Sequence, residues 1–171
     1  MTGALSRTID DVDCLSGLTV QTLSSVAVST LDETLQAMKA LEKRSFPTNE
    51  TWTITKDMIK KQTIQVYCVF ANLKARADLV AYALCMRTRK TLWLHKICVT
   101  EKRRRQGVGE LLLTYIQGKA EVEHCRQIDL WVDESRVAAK ALYWKCGFIE
   151  KRKQVDYYTK GRHGIQMTYE I

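Results

Sequence analysis

Residues 96–116 read Lys-Ile-Cys-Val-Thr-Glu-Lys-Arg-Arg-Arg-Gln-Gly-Val-Gly-Glu-Leu-Leu-Leu-Thr-Tyr-Ile, and no other stretch constrains the fold so tightly. A short apolar run ends at Val99, a basic loop follows, and Arg104-Arg105-Gln106-Gly107-Val108-Gly109 opens a strongly apolar helix. A strand feeding a glycine-containing turn at a helix start gathers successive backbone N–H groups where the helix dipole favours negative charge. That arrangement can hold a phosphate or pyrophosphate. Gly107 and Gly109 would let such a ligand approach the backbone closely. The cations Lys102 to Arg105 add to the attraction.

Two common phosphate loops do not fit. No Gly-Lys-Ser or Gly-Lys-Thr follows, so this is not a Walker loop. The third glycine of a dinucleotide fingerprint is missing, and no initial βαβ unit surrounds the turn. What remains is Arg-x-x-Gly-x-Gly after a strand.

The length of 171 residues suits one domain spanning 1–171, with residues 1–14 as a loose N-terminal segment. With 46% hydrophobic and 27% charged residues the chain reads as globular rather than disordered. No apolar run approaches the roughly 18 residues that span a bilayer, so no membrane partner is expected. Met1 to Asp13 lacks the basic-then-apolar layout of a secretory signal. A cytoplasmic place follows as the expectation, with the nucleus also open. Cysteines stand at 14, 68, 85, 98, 125 and 146 without a Cys-x-x-Cys pair, and all are read as reduced thiols. His124-Cys125 near Glu121 and Glu123 matches no standard metal spacing, so no metal is expected. The net charge of +8 suits an anionic partner such as nucleic acid, a membrane surface or a polyphosphate cofactor.

Periodicity orders the elements. Leu18 to Val28 suggests a first strand. Thr30, with Glu33 completing a capping box, opens a helix from Leu31 to about Ser45, closed by Phe46-Pro47. A second helix is expected over about 55–63. Strands follow over 65–73, 79–88 and 91–99, with Arg89-Lys90 as a tight turn. A helix over 107–123, a buried strand over 127–132 and a helix over about 135–146 come next, the last ended by Gly147. Residues 149–158 and 164–171 close as a hairpin across Thr159 to His163. The result is a mixed, mostly antiparallel α/β sheet with helices on both faces.

A second motif, Leu130-x-Val132-x-x-x-Arg136-x-x-Ala139-x-x-Leu142-Tyr143-x-Lys145-x-Gly147-Phe148, stands downstream. Together the two motifs resemble the Gcn5-related N-acetyltransferase superfamily over about 66–171. The first resembles its acetyl-CoA pyrophosphate motif, with Glu101 where proline is common. The second resembles its Leu-Tyr-x-Lys-x-Gly-Phe motif, with Arg136 replacing the usual asparagine that helps bind pantetheine. The N-terminal protein acetyltransferases and the arylalkylamine acetyltransferases look nearest.

The resemblance implies a sheet splayed between its fourth and fifth strands. Pantetheine would pair with Ile97, Cys98 and Val99, and the pyrophosphate would sit on Arg104, Arg105, Gln106, Gly107, Val108 and Gly109. Lys145 belongs to the same motif set. Arg136 would contact a CoA phosphate or face solvent. Tyr143 matches the tyrosine near the thioester sulfur, where a phenol of pKa about 10 could protonate the leaving thiolate; packing on the core is its alternative. For the base, His95 matches a water-linked histidine of the arylalkylamine enzymes, and Asp133 and Glu134 stand in reserve. Trp131 occupies the place where N-terminal acetyltransferases often carry Glu or His. Phe46-Pro47 and Tyr157-Tyr158 resemble the segments that face an incoming peptide, while Trp52, Trp93 and Trp131 could instead line an aromatic acceptor pocket. The activity implied is transfer of acetyl from acetyl-CoA to a primary amine, a protein N-terminus favoured, by direct attack in a ternary complex. A non-catalytic CoA-binding or interaction module is the competing class. Lys102 to Arg105 as a nucleic-acid patch is the lesser reading of residues that a CoA motif already uses.

Overall fold

The computed structural model describes residues 17–72 and 78–171. The N-terminal segment, Cys14 and the last residue expected for the second strand, Leu73, lie outside them. The element order is β1 (Thr19–Thr22), α1 (Val28–Ser45), α2 (Lys56–Ile59), β2 (Ile64–Phe70), β3 (Leu79–Thr88), β4 (Thr91–Val99), α3 (Val108–Val122), β5 (Gln127–Asp133), α4 (Val137–Lys145), β6 (Ile149–Thr159) and β7 (Arg162–Glu170). Short 3-10 turns cover Leu23–Ser25, Thr48–Glu50 and Glu101–Arg103.

One seven-stranded sheet runs in the order β1-β2-β3-β4-β5-β7-β6. Every neighbouring pair is antiparallel except β4 and β5, which are parallel. That pair is short: Thr91 to Leu94 match Gln127 to Leu130, and the register stops there. Beyond it Ile97 and Val99 remain paired with β3 only, and Trp131 to Asp133 with β7 only. A bulge stands at the same level. Leu84 matches Lys96 while Cys85 matches Leu94, leaving His95 as the extra residue of β4. Bulges bend a strand and sharpen its twist, so β4 turns away from β5 where their pairing ends. The sheet is splayed, as the resemblance implied.

Alternation within the strands builds two cores. Tyr67, Val69, Ala83, Cys85 and Leu94 face α3, whose Leu111, Leu112, Leu113 and Ile116 are buried against them. Val66, Cys68, Phe70, Tyr82 and Leu84 face α1 through Met38 and Leu41. Helices therefore cover both faces. Five cysteines, 68, 85, 98, 125 and 146, are free thiols.

Local chemistry shifts several expected boundaries. α1 begins at Val28 with Ala27 as its N-cap and no side-chain cap. Thr30 lies inside the first turn, donating its hydroxyl back to the Ala27 carbonyl at 3.1 Å, so the capping box does not form. The first strand ends at Thr22, because Leu23 enters a 3-10 turn with its side chain buried. α2 is one turn long, and Thr55 caps it by accepting from the Met58 N–H at 3.3 Å. The last hairpin is tighter than expected: Thr159 pairs with Arg162 across Lys160-Gly161, with Gly161 at φ +80°. At the end of α4 the Phe148 N–H bonds the Tyr143 carbonyl and the Gly147 N–H bonds that of Trp144, each at 3.0 Å. With Gly147 at φ +85° this is a Schellman cap, and it fixes the backbone beneath Tyr143.

Candidate active site

The splay opens a groove of about 910 Å³ between β4, the start of α3 and the start of α4. Ile97, Cys98 and Val99 line it from the strand, and Arg104, Arg105, Gly107 and Gly109 from the glycine loop. Arg136 and Lys145 close it from the α4 side. Gly107 is the N-cap of α3 at φ +81°, and Arg105 sits at φ +63°. This left-handed turn feeds directly into the helix, whose first N–H groups have no intrahelical acceptor. The Arg104 Nε donates to the Val99 carbonyl at 3.1 Å, tying the loop to the strand end. A long basic groove with a helix N-terminus at one end and unpaired strand backbone at the other suits an elongated polyanion.

Two residues expected at the groove serve it differently. Val108 is buried at 2% exposure and anchors the helix start in the core. Gln106 is exposed, and its amide donates to the Lys102 carbonyl at 2.8 Å, bracing the loop. Gly109 has a packing reason besides any ligand. A Cβ there would stand 2.9 Å from Leu142 Cδ2, so the glycine lets α3 close on α4. Lys145 is exposed and paired with Glu110 at 2.6 Å.

A smaller pocket of about 280 Å³ adjoins the groove, sharing Phe46, Ile97, Arg136 and Ala139 with it. Phe46, Trp131, Tyr143 and Tyr158 form aromatic walls, and His95 and Lys96 reach it from β4. Tyr143 is 6% exposed, and burial holds its phenol well above the ordinary range. His95 is exposed at the mouth, with its ring 5.9 Å from that of Trp52. Partial burial there lowers its pKa below the ordinary 6.5. Tyr158 is pushed up to about 12, first by burial and then by Tyr157.

Ion pairs lock the roof of this pocket. Glu50 accepts from Arg136 at 2.7 Å and from Arg162 at 2.5 Å. Arg162 also pairs with Asp133 at 2.7 Å. Burial alone would raise the Asp133 carboxyl, but the hydroxyl and amide of Ser135 together with Arg162 hold it below the usual carboxylate range. Lys96 donates to Glu42 at 2.8 Å and to the Glu50 carbonyl at 2.7 Å, with its ammonium 4.2 Å from the Phe46 ring centre. Arg136 thus engages Glu50 and the Phe46 ring, at 5.4 Å from its centre, while its partly exposed side chain also lines the groove.

The structure brings together Phe46, His95, Tyr143 and Tyr158 around one pocket. Pro47 stands just outside as the N-cap of the 3-10 turn that presents Glu50. Tyr157 stacks on Trp131, with ring centres 4.3 Å apart, and supports the wall from behind. Of the two reserve acids, Asp133 lines the pocket, while Glu134 pairs with Lys153 outside it. Trp93 is not among the lining residues of either cavity. Sequence reasoning missed Glu50, Lys96 and Arg162. The signals were positional: Glu50 follows Phe46-Pro47 by three residues, Lys96 opens the stretch 96–116, and Arg162 lies in the expected turn Thr159 to His163.

A family model described as the acetyltransferase (GNAT) family matches residues 33–148. The chain belongs to this family and is an N-acetyltransferase. A search of curated proteins by sequence found no match. Among solved structures, the ribosomal-protein-S18-alanine N-acetyltransferase from Escherichia coli is similar at TM-score 0.70 and 21% identity, covering 90% of this chain and 94% of that one. The NatC complex bound to Gag peptide and CoA is similar at TM-score 0.72 and 16% identity, covering 90% and 98%. A spermidine/spermine N-acetyltransferase from Vibrio cholerae is similar at TM-score 0.69 and 15% identity, covering 91% and 94%. At these identities the likeness is one of fold.

Proposed function

We propose that this chain transfers acetyl from acetyl-CoA to a primary amine, with a protein N-terminus as the favoured acceptor. The observation that carries the reading is the meeting of two cavities at the splay. A basic groove lies on one side, an aromatic pocket on the other, and buried Tyr143 lines the pocket next to the residues they share. Acetyl-CoA fits the groove's chemistry, with its pyrophosphate on the start of α3 and its pantetheine along Ile97 to Val99. The amine enters from the pocket and attacks the thioester carbonyl directly. A β4 backbone N–H polarises that carbonyl, and Tyr143, a phenol that stays protonated at neutral pH, gives its proton to the leaving thiolate.

His95 removes the amine proton through water. Its lowered pKa keeps it neutral and able to accept at pH 7. An α-amine of pKa about 8 requires about 1.4 kcal/mol to deprotonate at pH 7, and a lysine of about 10.4 closer to 4.6 kcal/mol. The first is within reach of a mouth-side histidine. The peptide reading is supported by Phe46-Pro47 and Tyr158, which flank the pocket where the resemblance puts peptide-facing segments, and by neighbours whose names specify ribosomal protein S18 and a Gag peptide. The four aromatic walls favour an arylalkylamine as the second reading.

The test is thiol release and product mass spectrometry with acetyl-CoA and a panel of N-terminal peptides, lysine peptides and arylalkylamines. Acetylated peptide N-termini are the expected product. Acetyl-CoA binding with no turnover on any acceptor would leave a CoA-binding module instead.

A further inference from the structure

Resting on the reading that the aromatic pocket receives the acceptor, we infer that the acceptor is a monoamine with an apolar or aromatic group beside its reactive nitrogen, and that Arg162 excludes polyamines by keeping the pocket's carboxylates paired. A polyamine carries further ammonium groups into the site. Each loses hydration on binding and needs an unpaired carboxylate or a free aromatic face in return.

Among the described residues, the carboxylates that line the pocket are Glu50 and Asp133, and both are engaged on both oxygens. Glu50 accepts from Arg162 on one oxygen at 2.5 Å and from Arg136 on the other at 2.7 Å. Asp133 accepts from Arg162 on one oxygen at 2.7 Å, and on the other from the Ser135 amide and hydroxyl at 2.9 and 2.7 Å. Arg162 is shared by the two acids. A third acid, Glu42, stands behind Lys96 at 2.8 Å, and its second oxygen is buried, with Tyr82 and Trp52 lining the same separate cavity of about 170 Å³. It is not part of the acceptor pocket.

With the charges cancelled, what the pocket offers a ligand is rings: Phe46, Trp131, Tyr143 and Tyr158. Two of the cancelling cations lie against those rings, Arg162 at 5.4 Å from the Tyr158 centre and Arg136 at 5.4 Å from Phe46. The volume of 280 Å³ holds about nine water-sized groups. That is room for an amine with one aromatic ring, whether from a free arylalkylamine or from the first residue of a peptide. The similar fold of a spermidine/spermine acetyltransferase gives no ground for expecting its acceptor here.

The experiment compares kcat/KM for phenylethylamine, a peptide with an apolar first residue and spermidine, using wild type, Arg162→Met and Arg162→Lys. In wild type, at least one of the two monoamines should exceed spermidine by about tenfold or more; which of them leads separates the free amine from the peptide. Arg162→Met frees one oxygen each on Glu50 and Asp133 and should shift the spermidine-to-monoamine ratio toward spermidine by about tenfold. Arg162→Lys should keep most of the wild-type ranking. Arg162 lies outside the groove lining, so the Kd for acetyl-CoA should hold in both variants. Spermidine matching the monoamines in wild type, or a ratio unmoved in a folded Arg162→Met, overturns the inference. Turnover that favours spermidine overturns it while leaving the acetyltransferase reading intact, whereas acetyl-CoA binding without any turnover overturns both. If Arg162→Met does not fold, the wild-type ranking decides.

Discussion

The groove and the aromatic pocket adjoin at the same splay, yet they are built on opposite plans. The groove's anion end, the glycine loop, is made of near neighbours in sequence. It is braced by bonds four and five residues apart, Gln106 to Lys102 and Arg104 to Val99. The pocket roof is held by bonds spanning 86 and 112 residues, Arg136 to Glu50 and Arg162 to Glu50. The groove is broad, and Arg104 and Arg105 remain exposed beside it, as an anion seat requires. The pocket is about a third as large, and its acids are already satisfied. A cofactor common to many acceptors can be held by a local backbone device. An acceptor is selected by walls that the whole fold must bring together.

Lesions on the two sides should therefore separate kinetically. The largest effect should come from Tyr143→Phe. It removes one hydroxyl and leaves the ring packed against Phe148, at 5.7 Å between centres. kcat should fall by about 10²–10⁴-fold, the range for loss of a general acid. The Kd for acetyl-CoA should not move, and an unchanged kcat would remove the acid role.

Gly107→Val is the matching lesion in the groove. At φ +81° a β-branched residue is strained by about 1–3 kcal/mol. The turn should deform, and acetyl-CoA should bind about tenfold to a hundredfold more weakly. Acceptor KM measured at saturating acetyl-CoA should stay near wild type. A parallel rise in both constants would show that the two sites are one mechanical unit.

Glu50→Ala tests the roof, where it leaves Arg136 and Arg162 without their shared carboxylate. Glu50 is partly exposed, so solvent softens the loss. A fall of about tenfold in acceptor kcat/KM is expected, with acetyl-CoA affinity held within about twofold.

The same contrast governs how much was legible in the sequence. The strands over 79–88 and 91–99 were readable because alternation and a two-residue turn are local signals, and they are observed as β3 and β4. The glycine loop of the groove was readable for the same reason. Thr30 misled because a threonine hydroxyl can bond back to a carbonyl within the first turn as readily as cap it. Arg162 was invisible because nothing near it in sequence names Glu50 or Asp133. Tyr158 reaches the pocket through an irregularity in β6, whose register jumps between Gln154 and Thr159, with Asp156 at φ +56° between them. No period-2 pattern encodes such a jump.

His95 should give a smaller effect, visible on one limb of the pH profile. Its pKa is lowered, so it is neutral above that value and takes a proton as pH falls through it. Wild-type rate should therefore fall on the acid side. His95→Ala should lose about tenfold near pH 7, the fraction set by an α-amine of pKa about 8, and almost nothing above that pKa. An acid limb identical in both proteins would make His95 structural.

The smallest effect should come from the residue next to a pocket acid. Asp133 is the last residue of β5, and Glu134 is the first of the turn that follows it. Asp133 is 3% exposed and holds Ser135 and Arg162, while Glu134 pairs with Lys153 outside the pocket. Glu134 is held below the usual carboxylate range, chiefly by its hydrogen bond to Lys153. A surface pair of this kind contributes little. Glu134→Gln should leave kcat/KM within about twofold and the melting curve close to that of wild type. Asp133→Asn should instead weaken acceptor use, because it removes the charge opposite Arg162. Equal behaviour of the two variants, in an acceptor titration run side by side with a thermal melt, would mean that the pocket boundary does not fall between these residues.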